Sequence, residues 1–161
     1  MRIMGIDNGL DGGLVVVEDN KIVASMVAPT VNVKASKREY NGAGIVTFLH
    51  ASKPDHVFIE KAQAMPGQGV SSMFSIGLGY GMYRGILTAL YIPYTLVHPK
   101  TWQGLLFRDL PKGDTKAMSY IVCMRLWPQY DWKASERCKK PHDGLTDAAM
   151  IAEYGRRMIG A

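Results

Sequence analysis

Three short apolar runs, packed into the first 28 residues and separated by turn-forming residues, constrain this chain more than any other feature. Residues 2–7, 12–18 and 21–28 read as strands, with turns at 8–13 and at Asp19-Asn20, and together they predict an antiparallel meander. The pattern then changes. Residues 39–51 have helical spacing, with Ile45, Phe48 and Leu49 on one face and Pro54-Asp55 as the stop, and a strand follows at 56–60. A long helix at 71–91, a strand at 92–98 and a helical turn at 99–107 come next. Asp114 is placed to cap a helix in which Ala117, Tyr120, Ile121, Met124 and Trp127 share a face, closed by Pro128, and a last helix runs from Asp143 to about Met158. A meander followed by alternating helices and strands predicts an α/β chain: a five-stranded mixed sheet with helices on its faces. At 161 residues and with 47% hydrophobic residues, one folded domain spanning 1–161 is expected.

Several function classes are excluded early. The longest uncharged stretch, 62–83, holds five glycines, three serines, Pro66, Gln63 and Gln68, too polar for a bilayer core. The N-terminal residues place an acid where a secretory leader is apolar. Cys123 and Cys138 have no CxxC partner, which argues against a zinc site and a disulfide scaffold. A cytoplasmic protein with no membrane partner is expected. Charge is unevenly spread: residues 100–140 hold nine Lys/Arg against four Asp/Glu, while the rest of the chain has ten of each. The positive excess of +5 therefore lies in one quarter of the sequence, where it is either a solvated surface or a face for a polyanion.

The acids carry the chemistry. Asp7 directly follows Ile3-Met4-Gly5-Ile6, and Glu60 directly follows Val57-Phe58-Ile59, so each is held at the end of an apolar strand. Asp143 and Asp147 stand four apart at the start of the last helix, on one helical face. Each alone can end a strand, start a turn or complement a helix dipole. If the two strands are neighbours, however, the carboxylates meet, and clustered carboxylates repel unless they take up protons or a cation. Oxygen donors without a Cys or His cluster suit magnesium or manganese, and two such ions can activate water and stabilise a leaving oxygen in phosphoryl transfer. A basic chain with an acidic metal pocket points to a nuclease.

Five segments resemble the RuvC family of Holliday-junction resolvases, and its phage-encoded branch in particular: MGIDNGLDGGLVV, VFIEKAQAMPGQGVSSMFSIG, YTLVHPKTWQ, GDTKAMSYIVCMRLWP and HDGLTDAAMIAEYGRR. They span nearly the full length in the family's order. The resemblance implies a ribonuclease H-like fold, with three antiparallel strands extended by two parallel ones. It also implies a homodimeric, metal-dependent endonuclease that nicks opposed strands of a four-way DNA junction. Carried over by residue, it makes Asp7, Glu60 and Asp147 metal ligands and catalytic groups, with two Mg2+ ions per site and Mn2+ able to substitute. Asp143 is the fourth. Many cellular members place that ligand three residues before the last Asp, where this chain has Gly144, so His142 is the other candidate. Cellular resolvases also tend to carry an aromatic wedge a few residues after the second acid, where this chain has Gln63, leaving Met65 or Phe74 as substitutes.

For DNA, Lys61 beside Glu60, Lys100, Lys112 and Lys116 near predicted helix starts, and Arg137, Lys139 and Lys140 before the last helix are candidate phosphate contacts. Trp102 and Trp127 read as packing residues, and His50, His56 and His98 as structural ones. Gly77, Gly81 and Gly85 recur every four residues on the 71–91 helix and predict close packing of another backbone. With the apolar face of 39–51, that helix is the candidate dimer interface. Two other functions remain open: a broader debranching nuclease acting on forks and flaps, and a non-catalytic junction-binding protein.

Overall fold

The computed structural model describes residues 1–35, 37–63 and 67–160. Its main sheet has five strands in the order β3-β2-β1-β6-β7. Strand β1 (Ile3–Asp7) pairs antiparallel with β2 (Gly13–Glu18), which pairs antiparallel with β3 (Lys21–Val27). On its other side β1 pairs parallel with β6 (His56–Glu60), which pairs parallel with β7 (Tyr94–Val97). This is the expected mixed sheet, three antiparallel strands followed by two parallel ones.

The central strands are apolar on both sides because both faces are covered. On one face Met4, Ile6, Leu14, Val16, Val57 and Ile59 pack against α1 (Gly42–Ser52) and α2 (Val70–Ala89) through Ile45, Leu49, Tyr83 and Leu87. On the other, Ile3, Val15, Val17 and Phe58 meet α5 (Asp143–Ile159) and residues of α3 (Pro99–Leu106) and α4 (Thr115–Leu126). Helix α5 lies so close to the sheet that side chains are excluded at the contact. A Cβ at Gly5 would stand 2.0 Å from the Ala148 carbonyl oxygen, and one at Gly13 would stand 2.6 Å from that of Gly144.

Four sequence expectations are corrected. Helix α1 begins at Gly42, not at residue 39, because a separate two-stranded ribbon of β4 (Thr30–Lys34) and β5 (Lys37–Tyr40) precedes it. Asn41 caps the helix by accepting a hydrogen bond from the Gly44 N–H at 3.0 Å. In α4 the buried residues are Ser119, Val122 and Cys123, while Tyr120, Ile121 and Met124 are 36–42% exposed. The inward face meets the polar start of α5, so small residues fill it: the Cys123 thiol donates to the Thr146 carbonyl at 3.6 Å. Gly77, Gly81 and Gly85 face open space, and it is Gly79, about 200° around the helix from Gly77, that packs. A Cβ at Gly79 would meet the Tyr40 ring at 2.3 Å. Finally, the apolar face of α1 is consumed within the core and is not free for a second copy.

These glycines should respond oppositely to a methyl group. Gly5→Ala pushes into backbone that cannot yield and should lose roughly 3 kcal/mol or more. Gly85→Ala meets open space on a helix and should gain roughly 0.5–1 kcal/mol. Urea unfolding of the two variants measures both.

Candidate active site

Parallel pairing of β1 with β6 holds Ile6 opposite Ile59, so Asp7 and Glu60 leave the sheet side by side at the same end. Residues 3–6 and 57–59 leading up to them are buried, which gives the two carboxylates a rigid ledge. The close approach of α5 to β1 then brings Asp147 over this ledge. Asp143 sits one turn earlier and is exposed, its Oδ2 2.8 Å from the Lys116 Nζ.

Each of the three inner acids has its own donor. Asp7 accepts from the Gly9 N–H at 3.2 Å. Glu60 accepts from the Trp102 indole N–H at 3.0 Å, and Asp147 from the Ser119 hydroxyl at 2.5 Å. The Asn8 side-chain amide donates to the Glu60 carbonyl at 2.7 Å and ties the two strand ends together. Burial pushes the Asp7 carboxyl up to about 6, with the neighbouring Glu60 adding to the rise against the Gly9 N–H and the Lys116 ammonium. Asp147 is likewise raised to about 6, by burial and by Asp7 and Asp143, with the Ser119 hydroxyl opposing. Glu60 is raised by burial and by Asp147, while the Trp102 bond lowers it.

The three acids thus repel one another in a half-buried setting, the condition in which a divalent cation is favourable, and their donor set is all oxygen. As the side chains stand, among the described residues no three Asp, Glu, His or Cys groups close around a point that could hold an ion. Each carboxylate is turned to its own donor.

The acids lie where two clefts meet. One, of about 790 Å³, runs from Asp7 and Glu60 past Lys61 to Gln63, His98 and Lys100. The other, of about 520 Å³, holds Asp147, Asp143, His142 and Lys116, and Asp7 lines both.

No protein-family model matches the chain, and no curated protein matches it by sequence. Solved structures do. Thermus thermophilus RuvC in complex with Holliday junction substrate is 16% identical, with a TM-score of 0.64 over 98% of this chain and 96% of that one. A second structure of Thermus thermophilus RuvC is 18% identical, with a TM-score of 0.65 over 98% and 96% of the two chains. The yeast mitochondrial Holliday junction resolvase is 18% identical, with a TM-score of 0.66 over 97% of this chain and 78% of that one. The fold is that of RuvC.

On this RuvC fold the residue three before Asp147 has no room for a side chain: a Cβ at Gly144 would stand 2.3 Å from the Asp11 carbonyl oxygen. His142 precedes α5 and lines the same cleft, and its buried Nδ1 has no hydrogen-bond partner among the described residues. Among the basic candidates, Lys61 and Lys100 line the first cleft and Lys116 the second. Lys112, Arg137, Lys139 and Lys140 are exposed and line neither. Gln63 pairs with His98, its amide nitrogen 2.9 Å from Nδ1. Phe74 is 72% exposed on the first turns of α2, and Met65 lies outside the described residues.

Trp102, Ser119, Asn8 and His98 belong to the site although the linear sequence assigns them no role in it. Topology holds the signal for two of them: Glu60 pairs with Val97, so His98 and a helix starting at Pro99 must stand beside Glu60. Trp127, by contrast, is buried and donates to the Asn20 carbonyl at 2.8 Å, as a packing residue.

The raised carboxyls fix a pH dependence. Asp7 and Asp147 have higher pKa values folded than unfolded, so the native state binds more protons and loses stability as pH rises from about 4 through about 6. In a chelator-containing buffer, thermal melts should show this decline. Asp7→Asn should remove part of it and raise stability at neutral pH by roughly 1–3 kcal/mol. Magnesium should raise the melting temperature of the unaltered chain more than that of Asp7→Asn.

Proposed function

We propose that this chain is a metal-dependent, structure-selective DNA endonuclease that resolves four-way junctions by paired nicks in opposed strands. The observation that carries this reading is the convergence of Asp7, Glu60 and Asp147, mutually repelling carboxylates at the meeting point of two clefts edged by Lys61, Lys100 and Lys116. The likeness to a RuvC solved with Holliday junction substrate supports the choice of DNA.

Asp7, Glu60 and Asp147 would hold two magnesium ions, with Asp143 or His142 as the fourth group and manganese able to substitute. When bound, such ions make water nucleophilic at neutral pH and stabilise the charge on the leaving oxygen. The chain's own residues prepare that chemistry. The Trp102 N–H and the Ser119 hydroxyl fix one oxygen each of Glu60 and Asp147, so the remaining oxygens face the clefts in a set orientation. Asn8 prevents the two strand ends from drifting apart. Lys61, Lys100 and Lys116 bring phosphates to the acids against the local negative field. Hydrolysis would break the bond to the 3′ oxygen, with water's oxygen added to phosphorus, leaving a 3′-hydroxyl and a 5′-phosphate.

One chain carries one such pocket, so paired nicks require two chains, and a two-fold dimer matches the symmetry of the junction. The open stripe of Gly77, Gly81 and Gly85 on α2, flanked by exposed Phe74 and Leu78, is the proposed interface. It consumes apolar surface that nothing within the described residues covers.

Two experiments test the reading. A labelled four-way junction, a flap and a linear duplex are incubated with the chain and magnesium. The junction should be nicked in opposed strands, and Asp7→Asn, Glu60→Gln and Asp147→Asn should each lose at least about a hundredfold in rate while still binding the junction. Activity near the unaltered level in any of the three would overturn the metal assignment. Equal cutting of flaps and junctions would favour a debranching nuclease. Sedimentation at micromolar concentration should give twice the monomer mass, and Gly81→Leu, at a position where a Cβ meets no described atom of its own chain within 4 Å, should give a folded monomer.

A further inference from the structure

The β4–β5 ribbon supplies no residue to the site described above. It rises from the end of the sheet where the acids lie: β3 ends at Val27, which pairs with Gly13, which pairs with Asp7. Among the described residues its strands pair only with each other. Tyr40, buried at its root, anchors it. The Tyr40 ring sits on Gly79 of α2, and its hydroxyl donates to the Asn8 carbonyl at 2.9 Å. Asn8 in turn holds the Glu60 carbonyl, so the ribbon's root and the acid ledge share one hydrogen-bonded residue.

Above that anchor the ribbon is basic. Lys34, Lys37 and Arg38 outnumber Glu39, whose carboxylate holds the Lys37 ammonium at 2.9 Å in an exposed pair, and Val31 and Val33 are 44–45% exposed. Arg38 reaches back over the rim of the second cleft, its guanidinium nitrogen 2.7 Å from Asp11 Oδ1. That pair is exposed and so contributes little to stability, leaving Arg38 able to exchange the carboxylate for a phosphate at small cost. A two-stranded ribbon also fits a DNA groove in width.

We propose that the β4–β5 ribbon is a second DNA-contact element, lying along the backbone of the strand that enters the acid site, with Lys34, Lys37 and Arg38 on its phosphates. The proposal rests on the junction-nuclease reading and adds a surface to it that lies outside the basic quarter of the sequence. Tyr40 makes it a coupled surface: a load on the ribbon is carried to Asn8, between the two acids.

The test uses the full chain carrying Asp7→Asn, so that binding is read without cleavage. In the first arm, lysines are acetylated with and without a four-way junction and their reactivity is read by mass spectrometry. Lys34 and Lys37 should be protected, whereas Lys21 and Lys53, at the opposite end of the sheet, should stay reactive. In the second arm, fluorescence anisotropy at several salt concentrations compares Lys34→Ala/Lys37→Ala and Arg38→Ala with their parent. Each should bind more weakly, with the salt slope reduced by roughly one unit for every phosphate no longer held, at an unchanged melting temperature, and Arg38→Lys should recover most of the affinity. Unprotected ribbon lysines together with unchanged affinity and slope would overturn the ribbon's role and leave the nuclease reading standing. If the parent chain itself binds no junction, both readings fall.

Discussion

The contact on which the rest of the structure depends is the approach of α5 to the sheet at Gly5, Gly13 and Gly144. A carbonyl oxygen 2.0 Å from where a Cβ would stand at Gly5 means that helix and strand meet backbone to backbone. Only at that separation can a short aspartate side chain on α5 share a field with acids at the ends of β1 and β6. Farther along α5, Gly155 lies against the face of Phe58, so the helix is seated at both ends of its contact with the sheet. The core side chains of this layer, Ala148, Ala149 and Ala152, are small for the same reason.

That seating creates the electrostatic problem which the site then uses. Asp7, Glu60 and Asp147 are buried enough to be pushed upward in pKa and close enough to raise one another. A fold selected for stability alone would place apolar residues there. Instead, among the described residues each acid has one donor, each from a different element: the β1–β2 turn, α3 and α4 respectively. One donor orients a carboxylate while leaving its other lone pairs unsatisfied. Three incompletely satisfied carboxylates form a charge deficit that a cation can fill, and the same deficit explains why Lys116 leans in on Asp143 from the start of α4.

Much of this arrangement is legible in the sequence, and the parts that are not share a cause. The acids can be found because apolar runs end on them, and a mixed sheet is implied by a meander followed by crossover helices, whereas its strand order comes from the family resemblance and not from periodicity. Ser119 escapes because the apolar stripe on α4 points to Tyr120, Ile121 and Met124, whereas the site needs a small hydroxyl under Asp147. The glycine stripe on α2 announces close packing, yet the glycine that packs is Gly79, on the other side of the helix, and its reason is Tyr40, far away in the chain. The ribbon escapes because, Tyr40 apart, its strands bury little: Val31 and Val33 alternate with polar residues yet stay exposed, and most other ribbon side chains are polar or charged. For Ser119 and Gly79 a long-range contact chose the residue, and periodicity reports only which side of an element is apolar.

Identity of 16–18% to solved structures of the same fold is consistent with this division. What the acid site requires is narrow: two parallel strand ends, one helix in backbone contact, and a donor behind each carboxylate. The rest can drift so long as core volume and patterning are kept. Gly144 shows how narrow the requirement is. With the helix drawn onto the β1–β2 turn there is no space for a side chain at that position, and the residue before it, Asp143, stands one helical turn from Asp147 on the rim of the second cleft.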